Sequence, residues 1–278
     1  MARGIALTIG LNSVDPNHYA GWSGDLNACE ADAEDMASIA NAQKFQTETL
    51  LTKDATIQKV TEKIRNASKG LQSGDIFLLS YSGHGGQLPD LNNDEPDSND
   101  ETWCLYDGEL VDDQLYSLLG EFSDNVRILV FSDSCHSGTV IKVAYFSDKI
   151  DMVNTNIDST GRRFRFLPTG VALRTYRKNR DFYDSVLKDE NLKNSADKVK
   201  ASGMLISGCQ DNQLSLDGAF NGLFTSQVLK VWKDGSFDGD YHNFHKEILN
   251  RMPQTQSPNL FMIGQKNPNF ESQKPFSI

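Results

Sequence analysis

Two short apolar runs, each ending abruptly in turn residues, constrain the fold of this chain more than any other feature. Asp75-Ile76-Phe77-Leu78-Leu79-Ser80-Tyr81 is too short for a stable helix and reads as a strand buried on both faces. Arg127-Ile128-Leu129-Val130-Phe131, within the stretch from Val126 to Gly138, has the same character. The first run ends in Ser82-Gly83-His84-Gly85-Gly86 and the second in Asp133-Ser134-Cys135-His136-Ser137-Gly138. Strands buried on both faces belong to parallel sheets covered by helices, and such sheets gather their ligand crevices at the carboxyl ends of the strands. If the two strands are neighbours, His84 and Cys135 overlook one crevice.

The rest of the chain supplies the partners for such a sheet. Gly4 to Leu11 reads as a first strand, and Leu26, Cys29, Ala33, Met36 and Ala40 fall at helical spacing in an amphipathic helix from Asp25 to Ala42. Phe45 to Leu51 is a second strand, and Thr56 opens a helix that ends near Gly70. This alternation implies an α/β fold with a largely parallel sheet and helices on both faces. Leu88 to Asp113 is an acidic loop broken by a hairpin of Trp103-Cys104-Leu105 and Glu109-Leu110-Val111, after which Asp112 can cap a helix. From Val140 to Lys200 no periodicity is sustained before Tyr183-Asp184-Ser185-Val186-Leu187. Met204 to Ser207 resumes the sheet, Gly222 to Trp232 and Tyr241 to Met252 read as helices, and Asn259 to Ile263 as a last strand.

The 278 residues are enough to bury a sizeable core. No apolar run reaches bilayer length and the amino terminus leads straight into a strand, so a cytoplasmic protein with no membrane partner is expected. The four cysteines, Cys29, Cys104, Cys135 and Cys209, are too scattered for a disulfide framework or a zinc site, which suits a reducing compartment. A net charge of -11 argues against nucleic acid as a partner. Between Lys69 and Arg127 there is no Lys or Arg, a distribution that favours cationic ligands. Lys142 to Lys200, in contrast, is rich in both, with Arg162-Arg163-Phe164-Arg165 and Arg174-Thr175-Tyr176-Arg177-Lys178.

An imidazole beside a thiol lowers the thiol pKa and yields a thiolate able to attack carbonyl carbon. Taken singly, a cysteine after a strand is more often a small buried hydrophobe, and a histidine among glycines a turn residue. The argument rests on their pairing at two matched strand ends. His136 is badly placed to serve Cys135, because adjacent side chains point apart. The glycines flanking His84 let a backbone amide approach a substrate, so the N–H groups of Gly85 and Cys135 can form an oxyanion hole.

Tyr-Ser-Gly-His-Gly around His84 and Asp-Ser-Cys-His-Ser-Gly around Cys135 resemble the metacaspase branch of the caspase-like cysteine peptidases. Leu26-Asn27-Ala28-Cys29-Glu30-Ala31-Asp32-Ala33 and Ile206-Ser207-Gly208-Cys209-Gln210-Asp211-Asn212-Gln213 support the resemblance, which runs from the first strand to roughly Trp232. It implies a caspase-like three-layer α/β/α sandwich with a central, mostly parallel sheet, formed as one catalytic domain over residues 1–278. Residues 1–140 would be the p20-like part, 141–200 a basic linker and 201–278 the p10-like part. The implied activity is that of a cysteine endopeptidase working through a His84–Cys135 dyad, with no obvious third member, and as a monomer.

The resemblance places Asp133, Asp32 and Ser82 in the pocket for the substrate residue preceding the cut. Carboxylates there select Arg or Lys and reject Asp, since an unpaired buried charge is costly. Asp211 is a weaker candidate for a third acid. An enzyme of this preference could cut its own linker between Arg162 and Lys178, or the linker could fold over the crevice as a plug held by the acidic loop. The resemblance also implies a calcium site on acids matching Asp100, Asp112 and Asp113, plus an acid just past the nucleophile. Lys142 stands in that last place, where its ammonium can neutralise the same carboxylates, so no cofactor is expected to be required. Rival readings are a caspase-clan peptidase with one dedicated substrate, a non-cleaving adaptor or scaffold, and a calcium sensor with an incidental thiol.

Overall fold

The computed structural model describes residues 2–91, 99–134, 155–157, 161–209 and 215–278. In chain order the strands are β1 (Gly4–Gly10), β2 (Gln46–Leu51), β3 (Ile76–Ser82), β4 (Gly85–Pro89), β5 (Asn99–Leu105), β6 (Gly108–Val111), β7 (Arg127–Asp133), β8 (Ser202–Ser207) and β9 (Asn259–Gly264). The helices are α1 (Cys29–Ala42), α2 (Ile57–Gly70), α3 (Asp112–Leu119), α4 (Thr169–Lys178), α5 (Arg180–Leu187), α6 (Leu223–Trp232), α7 (Tyr241–Leu249) and α8 (Pro268–Glu271).

A six-stranded sheet runs in the order β2-β1-β3-β7-β8-β9 and is parallel except for β9 at its edge. Alternate residues of each strand feed opposite faces, as the pleat requires. Phe77, Leu79, Ile128 and Val130 pack with Val60 and Ile64 of α2 and Leu118 and Leu119 of α3. Leu78, Leu129 and Phe131 face Met36 and Ile39 of α1, Phe224 and Val228 of α6 and Phe244 of α7. The result is a three-layer α/β/α sandwich.

Several local expectations are corrected. Helix α1 begins at Cys29, not Asp25, because Asn12 Oδ1 accepts from the amides of Cys29 and Glu30, while the Asp217 carboxylate accepts from those of Asn27 and Ala28. Asp112 is the first residue of α3, not its cap, and Val111 N donates instead to Gln114 Oε1 at 3.3 Å. The acidic hairpin is a three-stranded antiparallel sheet, β4-β5-β6, in which Gly85 to Pro89 adds a strand directly after His84. The linker carries an unforeseen helix, α4, entered through Pro168, whose fixed φ suits a helix start.

Candidate active site

Strands β3 and β7 are hydrogen-bonded neighbours, with Ser82 opposite Asp133 in the register. The two motifs therefore leave the sheet side by side. His84 follows two residues after Ser82, and its backbone carbonyl accepts from Tyr81 Oη at 2.7 Å and from Cys104 N at 2.9 Å. Tyr81 is itself stacked on Trp103, with ring centroids 4.4 Å apart. Cys135 lies outside the described residues, as do Asp211 and Lys142. The described part of the second motif ends at Ser134, which is buried.

The imidazole is oriented by a group the sequence reading missed. His84 Nε2 donates to the Gly24 carbonyl at 2.8 Å, which assigns the hydrogen to Nε2 and leaves Nδ1 with a lone pair. Nδ1 is buried with no hydrogen-bond partner among the described residues. Gly24 has φ +58°, and a Cβ there would stand 2.8 Å from the Trp22 ring and 3.1 Å from His84 Cδ2. Only glycine brings this carbonyl so close. The Trp22 ring lies 4.7 Å from the imidazole, centroid to centroid. Burial lowers the His84 pKa to about 4, keeping the ring neutral at pH 7.

Beside it, three carboxylates and a hydroxyl converge on one guanidinium, that of Arg165 from the basic linker. Arg165 Nη1 lies 2.9 Å from Asp133 Oδ2 and donates to Ser82 Oγ at 2.8 Å. Its Nη2 lies 2.8 Å from Asp32 Oδ2 and 3.1 Å from Asp217 Oδ1. All four charged side chains are at most 2% exposed. Asp32 is thus no solvated helix-face residue, and Asp133 accepts from Thr225 N and Oγ1 in the first turn of α6 and from Ser215 Oγ. Asp32 also accepts from Ser82 Oγ, Asn221 Nδ2 and the Gly222 amide. Burial raises the Asp32 pKa despite the attraction of Arg165. Asp133, Asp32 and Asp217 hold Arg165 ionised against the cost of its burial.

Asp217 is a third acid on this guanidinium that the sequence reading missed; Asp211, its weaker candidate, lies outside the described residues. The Gly222 backbone forms a wall of the pocket: a Cβ there would sit 2.5 Å from Arg165 Nη1. These three acids hold Arg165, while further along the linker Tyr183 and Leu187 pack on Leu88 and Val111 of the acidic stretch.

The backbone of Arg165 lies at a bend between two strand-type bridges and is itself hydrogen-bonded on both sides. Its N–H donates to the Ser215 carbonyl at 3.1 Å, and its own carbonyl accepts from Gly85 N at 3.0 Å. Leu167 N donates to the Gly85 carbonyl at 2.7 Å. Bridges of strand type pair Phe164 with Leu216 and Phe166 with Gly85. The linker is thus tied to its two neighbours by backbone hydrogen bonds on either side of Arg165.

Asp100 belongs to β5, while Asp112 and Asp113 open α3. Burial, with Glu101, Asp113 and Asp100 nearby, pushes the Asp112 carboxyl well up, and its Oδ1 is buried without a hydrogen-bond partner. An orphaned oxygen among like charges suits a hard cation. Yet among the described residues no three His, Cys, Asp or Glu side chains converge closely enough to hold a metal.

The sheet order and the histidine at the end of β3 define a caspase fold, and a family model described as Caspase domain matches residues 3–277. The chain belongs to that family, as a metacaspase-like member of the caspase clan. It is 35% identical to Metacaspase-1A of Neurospora crassa over 51% of this chain and 34% of the relative. It is 28% identical to Metacaspase-1 of Kluyveromyces lactis over 93% of this chain and 65% of the relative. The chain thus spans from about a third to about two thirds of the length of these curated relatives. The crystal structure of protein GSU0716 from Geobacter sulfurreducens is 58% identical, covers 99% of this chain and 98% of its own, and superposes with a TM-score of 0.87. No helix among the described residues is long and apolar enough to cross a membrane.

Proposed function

We propose that this chain is a cysteine endopeptidase that cleaves after arginine, and less readily after lysine, and that its own linker is among its substrates. One observation carries the reading: Arg165 lies with its guanidinium on Asp32, Asp133 and Asp217 and its carbonyl oxygen on the Gly85 amide. Three carboxylates against one guanidinium leave a buried excess of negative charge, which rejects an aspartate side chain. The forked contacts favour guanidinium over ammonium, since Lys offers a point charge and no fork.

In this reading the bare Nδ1 of His84 takes the Cys135 thiol proton, and the thiolate adds to the carbonyl carbon of the substrate arginine. The Gly85 amide, with that of Cys135, bears the charge developing on oxygen. Protonated His84 then gives its proton to the leaving amine, and water releases the acyl product. The Gly24 carbonyl fixes the tautomer throughout. Calcium has no part in this sequence of steps.

Matched peptide reporters ending in Arg, Lys or Asp test the reading. Wild type is expected to hydrolyse Arg best and Asp negligibly, with His84→Ala and Cys135→Ala inactive. A preference for Asp would refute it. Incubation beside Cys135→Ala tests self-processing, which equal fragmentation of the two proteins would exclude.

A further inference from the structure

We propose that the segment from Phe166 through α5 is a lasting strap over the leaving-group side of the cleft. Once the Arg165–Phe166 bond is cut, the new amino terminus at Phe166 stays in place, and the processed enzyme discriminates against substrates that extend beyond their arginine. This rests on the reading of the chain as an arginine-directed cysteine peptidase.

The two sides of Arg165 are held by different forces. Upstream, the described contacts are mainly polar: Phe164 N on the Asn156 carbonyl, Arg165 N on the Ser215 carbonyl, and the guanidinium on its carboxylates. Any peptide with an arginine can reproduce the last two. Downstream, burial dominates. Phe166 and Leu167 are both 0% exposed. Leu167 and Val171 share an apolar cluster with Val14, Tyr19 and Cys104, while Tyr183 and Leu187 pack on Leu88 and Val111. Tyr183 Oη lies 2.7 Å from His18 Nε2, and Asn179 Nδ2 donates to the His18 carbonyl at 3.0 Å. A new substrate can thus replace the contacts that Arg165 itself makes. To extend past its arginine it must first pull Phe166 and Leu167 into water, which apolar surface resists.

The chemistry widens this asymmetry. The Cys135 sulfur bonds to the Arg165 carbonyl carbon, the bond to Phe166 N breaks, and that nitrogen takes the proton His84 had received from the thiol. Water then adds to the thioester and the carbon–sulfur bond breaks, leaving a carboxylate on Arg165, one proton on sulfur and one released to solvent. The upstream product ends in an anion beside three carboxylates and is repelled. The downstream product gains an amine, which the same charges attract.

The test uses the self-processed enzyme and two substrates with one sequence up to Arg, the first ending in a coumarin amide, the second continuing for six residues. Wild type is expected to show kcat/KM at least about tenfold lower for the extended substrate. Asn179→Ala combined with Tyr183→Phe is expected to narrow that gap. The Phe166 amine of the native enzyme is expected to acylate at least about tenfold more slowly than that of a free peptide beginning Phe-Leu-Pro. Equal rates for the two substrates, labelling of Phe166 at the free-peptide rate, or failure of an active enzyme to cut after Arg165 would each overturn the strap. Loss of the coumarin reaction itself would instead refute the underlying peptidase reading.

Discussion

The carbonyl oxygen of Arg165 accepts the Gly85 amide at 3.0 Å, and Gly85 in turn accepts from Leu167 at 2.7 Å, so the peptide bond after Arg165 is clamped by the residue next to His84. Side chain and backbone of a single linker residue are thereby held at once, the one by three carboxylates and the other by the residue next to His84.

Asp217→Asn keeps the shape of the acid pocket but removes one of its charges. A hydrogen bond to a charged group contributes about 1.5–3 kcal/mol, so kcat/KM for an arginine reporter is expected to fall about 10- to 100-fold, mostly in KM. An unchanged KM would place Asp217 outside substrate recognition.

Gly222→Ala adds a methyl where the guanidinium lies, with the nearest nitrogen at 2.5 Å. Rates for arginine reporters are expected to drop more than those for lysine reporters, because the slimmer ammonium leaves room. Parallel measurement of both, with a melting curve to verify folding, decides the point.

Two buried groups give stability opposite responses to pH. His84 is held at about 4, below its ordinary 6.5, so between those values the unfolded chain binds a proton the native one lacks, and stability falls as pH drops. Glu109, 1% exposed beneath Gly86, is raised by burial from 4.5 to about 7. There the native state keeps a proton the unfolded chain has lost, and stability falls as pH rises through that window. Each amounts to about 3 kcal/mol at full extent. Urea unfolding is expected to show Glu109→Gln more stable than wild type by up to about 3 kcal/mol at pH 8 and little different near pH 4. A difference independent of pH would mean that Glu109 does not titrate in this way.

Calcium is expected to leave the arginine reaction within about twofold, with or without a strong chelator. The carboxylates on the arginine are Asp32, Asp133 and Asp217, whereas Asp100, Asp112 and Asp113 belong to β5 and α3. Activity abolished by chelation and restored by calcium alone would contradict this.

Much of the site was legible because the strands that present it are uniformly apolar and end in turn residues. That pattern fixed the neighbouring ends of β3 and β7, and the resemblance named Asp32, Ser82 and Asp133, which the structure brings onto one guanidinium. Asp217 was not legible, since its place depends on a loop returning to the start of α1, where it also accepts from Asn27 and Ala28. The Gly24 carbonyl carries no side-chain signature at all, although a glycine pair at Gly21 and Gly24 marks a backbone able to make such an approach. Strand β4 hid in a glycine-rich run, and α4 buries only Val171 and Thr175, too little to print a periodic stripe. Arg165, an arginine between two phenylalanines, was the readable sign that one basic linker residue is built into the core.

The contact between Trp22 and His84 supplies an optical consequence. A protonated imidazole quenches a neighbouring indole, and among the three tryptophans Trp22 has its ring 4.7 Å from the imidazole. Intrinsic emission from Trp22 is therefore expected to dim as the imidazole takes up a proton, so the charge on His84 can be followed by fluorescence without any added dye.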